Sequence, residues 1–188
     1  MQLLLGSNSP RRNELLSQMG FDFKKVSIEC EETFDNVAVA DVAKYLAEKK
    51  SKAYTSLSDE DLLITADTVV IQGNNILNKP SSVEHAKQML KMLSGTTHFV
   101  RTGVCLRTLD QTIVFDSLTE VIMDELTDEE IEFYIQKYNP FDKAGSYGIQ
   151  EWLGLNKINS INGCFYNVVG LPCSQLYKRL IDDFGYAK

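Results

Sequence analysis

Residues 98–122, HFVRTGVCLRTLDQTIVFDSLTEVI, decide the fold. His98–Arg107 and Thr112–Ile122 read as the two strands of a β-hairpin around Leu109-Asp110-Gln111. A hairpin this long is antiparallel, which argues against a purely parallel, doubly wound sheet. The chain on either side mixes strand and helix patterns, so the expected class is α/β: a mixed β-sheet flanked by helices.

Upstream of the hairpin, Leu62–Thr65 and Val69–Gln72 read as strands interrupted by Ala66-Asp67-Thr68, and Gly73-Asn74-Asn75 as a turn. Ser81 or Ser82 caps a helix through Leu93 that Gly95 ends. Asn36 can cap a long helix to about Leu57, with Val39, Val42, Ala43, Leu46 and Ala47 at helical spacing. Phe21–Ile28 looks extended, and Leu3–Leu5 reads as a short buried strand. After it, Ser9 is a good N-cap and Pro10 fits the first helical position of a helix to about Met19, stopped by Gly20. Downstream, Thr127-Asp128-Glu129-Glu130 is a capping box that opens a helix to about Tyr138. Residues 139–162 look like Gly-rich loop and short strand, and Pro172 starts a last helix to about Asp183.

The 188 residues suggest one domain, or two small lobes around one cleft. With 44% hydrophobic and 24% charged residues, the chain is neither disordered nor collagenous nor a coiled coil. A net charge of −7 argues against a nucleic-acid polymer as partner, because such binding needs Lys and Arg to displace counterions along a run of phosphates. It leaves room for a small anionic ligand, which needs only a few local cations. No stretch approaches the roughly 18 apolar residues of a membrane span, and Met1–Gly6 is too short for a signal h-region. Cys30, Cys105, Cys164 and Cys173 are scattered without a CxxC pair, the pattern of reduced thiols in a cytoplasmic protein. His85 and His98 belong to no metal-binding pattern.

Some stretches carry chemistry. Ser7-Asn8-Ser9-Pro10-Arg11-Arg12 lies between a strand and a helix. Free N–H groups at the helix start, two hydroxyls and two guanidiniums make an anion site there, most naturally for phosphates; capped helix with solvated arginines is the plainer account. Asp67 is a carboxylate inside an apolar stretch, costly to bury unless paired or metal-bound. At a break between strands it would project into a cleft as a general base or a magnesium ligand, or else form an Asx-type turn. Glu29, Glu31 and Glu32 can attract a cation but by themselves read as a solvated face. Lys49, Lys50 and Lys52 suit a helix C-terminus for dipole reasons alone. Lys79, before Pro80, is a phosphate ligand or simply exposed. In Asp142–Gln150 two glycines permit close backbone approach, and Gln150 offers a donor and an acceptor side by side.

Taken together these segments resemble the Maf family of nucleoside triphosphate pyrophosphatases. The matching residues are Ser7–Arg12, Glu31-Glu32-Thr33, Leu46–Lys50, Ala66–Val70, Lys79-Pro80, Gly95–His98, Thr102-Gly103, Asp142–Gly145, Tyr147–Gln150 and Asn167–Pro172. The resemblance spans almost the whole chain, in order. Asn78, Asn139-Pro140 and Glu151 depart from the usual family residues, Glu151 standing where Gly is common.

The resemblance implies an elongated mixed sheet of the Maf/ITPase-like kind, with two lobes around a central cleft that are not separable in sequence. It implies a cytoplasmic enzyme, commonly a homodimer, that cleaves a nucleoside triphosphate to monophosphate and pyrophosphate with a divalent cation, Mg²⁺ or Mn²⁺. Asp67 matches the proton acceptor; Ser7, Arg11, Arg12, Glu32, Lys50 and Lys79 match polar pocket residues. Arg12, Thr68 and Gln150 match positions that sort subgroups by base, and here they look like the dTTP/UTP subgroup. Glu32 and Asp67 are the expected metal ligands. Rival readings are a house-cleaning pyrophosphatase for other modified nucleotides and a non-catalytic nucleotide-binding regulator of cell division.

Overall fold

The computed structural model describes residues 1–186. Seven strands form one mixed sheet: β1 (Gln2–Leu5), β2 (Phe23–Lys25), β3 (Asp61–Gln72), β4 (Asn75–Leu77), β5 (Thr97–Arg107), β6 (Thr112–Met123) and β7 (Ile158–Asn162). Their order is β2-β1-β3-β5-β6-β7, with β4 paired to β3 off that path. β1 runs parallel to β2 and β3, while β3/β4 and β6/β7 are antiparallel. The expected hairpin is β5–β6, closed by the Thr108 amide on the Gln111 carbonyl at 2.9 Å. The helices are α1 (Pro10–Gln18), α2 (Val42–Ala53), α3 (Val83–Leu93), α4 (Asp128–Tyr138), α5 (Trp152–Lys157), α6 (Phe165–Val169) and α7 (Cys173–Asp182). None is long and apolar enough to cross a membrane.

The chain divides into two compact units. The first holds Met1–Asp67, Thr102–Ser117 and the chain from Gly170 onward; the second holds Thr68–Arg101 and Leu118–Val169. In the first unit, β1 pairs Leu3, Leu4 and Leu5 with Leu62, Leu63 and Ile64 of β3. All six are buried, as continuous apolar runs must be where a parallel sheet is covered on both faces. α2 lies on this sheet through Val42, Ala43, Leu46 and Ala47, and the Thr65 hydroxyl of β3 donates to the Ala47 carbonyl at 2.7 Å. Gly103 lets β5 approach α2 closely: a Cβ there would stand 2.3 Å from the Ala43 carbonyl carbon.

In the second unit, Gly73 at φ 60 turns β3 into β4, a backbone value that glycine adopts without cost. Ser82 caps α3 and Thr127 caps α4 with the full reciprocal box to Glu130, as the sequence indicates. Asn139 ends α4 in the left-handed conformation. Tyr134, Ile131, Leu90, Leu93 and Leu153 fill the core here.

Three local expectations are corrected. β3 is unbroken through Ala66-Asp67-Thr68, because the Asp67 charge is matched by a cation and the strand need not open there. α2 starts at Val42 rather than after Asn36, which itself takes a left-handed φ of 61°. It also ends before Leu57, because the Arg107 guanidinium captures the Ser51 and Tyr54 carbonyls at 2.5 and 2.6 Å. Residues 139–162, expected as loop and short strand, also contain the short helix α5.

Candidate active site

The loop from β1 into α1 builds the first wall of the site. The Gly6 amide continues the β1 pairing onto the Ile64 carbonyl at 2.8 Å, which fixes where the loop leaves the sheet. Ser7 Oγ then accepts from the Ser9 amide at 3.2 Å, and Ser9 Oγ caps the Arg12 amide. α1 has no acidic residue in its first turn to neutralise the positive end of its dipole. Arg11 and Arg12 sit at that end, both half-buried.

Arg12 is the most constrained side chain of the group. Its Nε donates to the Gly170 carbonyl at 2.8 Å and its Nη1 to the Ala66 carbonyl at 2.9 Å. Nη1 also lies 3.4 Å from Ser7 Oγ. Burial pulls the guanidinium below its usual pKa, and the nearby charges of Asp67 and Glu32 act in the opposite direction. The turn before α7 and the middle of β3 therefore both serve to hold one cation in place.

Asp67 projects from β3 and is 8% exposed. Lys50, in the last turn of α2, donates to its Oδ1 and also pairs with Glu32 Oε1 at 2.8 Å. One ammonium thus bridges two carboxylates that lie 35 residues apart in the chain (67 − 32). Glu32 is the more open of the two, on the segment joining β2 to α2. That segment is pinned by Lys49, whose ammonium donates to the Thr33 carbonyl at 3.0 Å and to its hydroxyl at 2.8 Å.

The structure brings Ser7, Arg12, Glu32, Lys50 and Asp67 together within the first unit, with Arg11 beside them on α1. Thr68 follows Asp67 on β3 and is half-buried. Lys79 and Gln150 belong to the second unit. Lys79 is exposed, in a segment held where the Gly145 amide donates to the Asn78 carbonyl at 3.2 Å. Gln150 is exposed and lines an open depression of about 510 Å³ with Ile149, Leu155, Ile158 and Phe165. Asn159 and Ser160 line it too, and largely apolar walls with a few polar groups suit a flat, polar-edged ring.

The donor set suits a hard divalent cation. Among the described residues, no group of three or more His, Cys, Asp or Glu side chains is placed to hold a metal. Two carboxylates already gathered around one positive charge match the needs of Mg²⁺, which typically takes one or two protein carboxylates and completes its shell with water and phosphate oxygens.

Sequence reasoning missed the positioning groups. Lys49 was expected to suit the helix dipole, yet it anchors the Glu32 segment. Ala66 and Gly170 act only through carbonyls, so their side chains carry no signal. Their membership in the Ala66–Val70 and Asn167–Pro172 matches is the one hint.

The profile of the Maf-like protein family matches residues 2–182, and the chain belongs to that family. A dTTP/UTP pyrophosphatase of Phocaeicola vulgatus is 45% identical over 182 residues, covering 95% of this chain and 94% of its own. One from Porphyromonas gingivalis is 47% identical over 189 residues, covering 98% and 94%. A third, from Flavobacterium psychrophilum, is 42% identical over 183 residues, covering 96% and 94%. Among solved structures, the Staphylococcus aureus Ham1 protein aligns with a TM-score of 0.49 at 15% identity, covering 65% of this chain and 72% of its own.

Proposed function

We propose that this protein hydrolyses dTTP and UTP to the nucleoside monophosphate and pyrophosphate. The observation that carries the reading is Asp67: a nearly buried carboxylate on β3, paired with Lys50 and within electrostatic reach of the anchored Arg12. The substrate class is supported by relatives of 42–47% identity that carry that activity in their names.

Ser7, the N-terminus of α1, Arg11 and Arg12 bind the phosphate chain, and Lys79 adds charge to it. Glu32 and Asp67 would hold a divalent cation, Mg²⁺ or Mn²⁺, which when bound would supply charge neutralisation on phosphate oxygens and make water easier to deprotonate. Asp67 takes a proton from the water that attacks the α-phosphorus. The bond from that phosphorus to the bridging oxygen breaks, and pyrophosphate leaves with the bonding electrons. Lys50, released from the carboxylates, and the arginines stabilise the charge that develops on the leaving group. Thr68 and Arg12 contribute to the choice of substrate. Gln150 reads the base: uracil and thymine present acceptor, donor, acceptor, and a carboxamide matches one donor and one acceptor of that edge. Where the bound base excludes water and the carboxamide is held in one orientation, a mismatched edge leaves a polar pair unmet and is rejected.

The test is pyrophosphate release from dTTP, UTP, CTP and GTP with Mg²⁺ or Mn²⁺, by the wild type and by Asp67→Asn. Wild-type protein should favour dTTP and UTP, and the variant should lose about 10²–10⁴ in turnover while remaining folded. Fastest cleavage of GTP, or tight nucleotide binding without product, overturns the assignment. Near-wild-type turnover in Asp67→Asn overturns the role of that carboxylate.

A further inference from the structure

The residue after Gln150 has both carboxylate oxygens engaged. Glu151 Oε2 accepts from the phenol of Tyr134 on α4, and Oε1 pairs with Lys143 Nζ at 3.0 Å. The Tyr134 oxygen in turn accepts from the Gly148 amide at 2.9 Å. Tyr134 is fully buried, and the Lys143 side chain is only 10% exposed. Burial, together with donation to Glu151, pushes the phenol well above its ordinary pKa, which keeps it a donor throughout the working pH range. Lys143 also reaches Asp142 at 2.8 Å, so its charge is met from two sides.

Gly148 is shaped to this cluster. A Cβ there would stand 2.9 Å from Glu151 Cδ and 3.1 Å from Lys143 Cε. One residue earlier, the Tyr147 hydroxyl is 2.8 Å from His98 Nε2, with both residues buried. The chain on either side of Gln150 is therefore tied to α4 and β5, while the Gln150 side chain itself is exposed. A solvated Gln loses side-chain rotamers on binding, and a backbone already fixed spares the further cost of ordering the chain that carries it. A glycine at position 151 would leave the Tyr134 hydroxyl and the Lys143 ammonium without this acceptor.

We propose that Glu151 is a positioning residue: acting through Tyr134 and Lys143, it fixes the 148–150 segment and thereby aims the Gln150 carboxamide at a pyrimidine dione. This rests on Gln150 being the base reader. The role is one of selectivity rather than chemistry, since no group of the cluster belongs to the set around Asp67.

The experiment measures kcat/KM for UTP and CTP, together with backbone hydrogen exchange, in Glu151→Gln, Tyr134→Phe, their double variant and Gln150→Leu. Tyr134→Phe keeps the buried ring and serves if the Glu151 variant folds poorly. Glu151→Gln and Tyr134→Phe should each lower the UTP/CTP ratio by about tenfold, mainly through KM, with kcat on UTP nearly unchanged, whereas Gln150→Leu should collapse the ratio. The Gly148 amide should exchange faster, and the double variant should be no worse than either single change, because one cluster is being broken twice. An unchanged ratio in Glu151→Gln and Tyr134→Phe, where Gln150→Leu collapses it, overturns the positioning role and leaves the reader intact. Additive losses in the double variant, or unchanged Gly148 exchange, also overturn it. An unchanged ratio in Gln150→Leu removes the reader itself, and the selectivity role of Glu151 falls with it.

Discussion

Arg12→Lys separates charge from geometry at the site. Both residues are cationic, but the guanidinium uses two different nitrogens to serve the Gly170 carbonyl at 2.8 Å and the Ala66 carbonyl at 2.9 Å. A lysine places one compact ammonium at the end of a flexible stem and satisfies one of these carbonyls. The other, on buried backbone, loses a bond to a charged donor, a change of about 2 kcal/mol. For a chain of this size that corresponds to a fall in Tm of roughly 4–8 °C. The weak 3.4 Å contact to Ser7 adds little. The kinetic consequence is separate: on the proposed role, losing the guanidinium held toward the phosphate chain should lower kcat/KM for dTTP by about 100-fold, equivalent to some 2.7 kcal/mol. Calorimetry and pyrophosphate release on the same preparation read both effects. A lower Tm with wild-type kcat/KM makes Arg12 a strut and removes it from substrate binding. A kinetic loss at unchanged Tm means that the two carbonyl bonds contribute nothing to stability. Wild-type values of both refute the reasoning altogether.

His98 should give stability a pH dependence. Burial lowers its pKa from the ordinary 6.5 to about 4, so the unfolded chain binds a proton that the folded chain refuses. The stabilisation is complete above about pH 6.5 and is lost as pH falls toward 4, by roughly 3 kcal/mol in all. Urea titrations across that window should show this slope, and His98→Gln should flatten it; an equal slope in the variant places the titration elsewhere. Gly103→Ala should destabilise by about 3 kcal/mol, because the new Cβ meets α2 backbone at 2.3 Å and a helix backbone cannot step aside. Gly73→Ala, which has nothing within 4 Å and only an unfavourable φ, should cost about 1 kcal/mol. Equal effects in the two variants argue against close packing of Gly103.

Much of this was readable in advance where the cause is local. Ser9, Ser82 and Thr127 each announce a helix start, because a cap is a contact between near neighbours. The 98–122 hairpin follows from residue pattern and a short turn. Ser7, Arg12 and Asp67 stood out in their own motifs, whereas Glu32 and Lys50 entered the set only through the family resemblance; the structure gathers all five. What stayed hidden depends on distant partners. The interruption expected at Asp67 is absent because Lys50, from another element, neutralises the carboxylate. The early start given to α2 overlooks that Asn36 takes a left-handed turn instead. Glu151 looks like a chance departure until Tyr134 and Lys143 are seen on either side of it.

The bond from Arg12 to the Gly170 carbonyl spans 158 residues. On a ribosome adding about 5–20 residues per second, this arginine waits roughly 8–30 s after its own synthesis before that acceptor exists. The growing chain can bring Arg12 Nη1 to the Ala66 carbonyl early, yet the guanidinium gains its second anchor only when residue 170 has been made. The Gly170 bond therefore marks a late step in building the site, and a product truncated before residue 170 carries the acidic pair with Arg12 held by the Ala66 carbonyl alone.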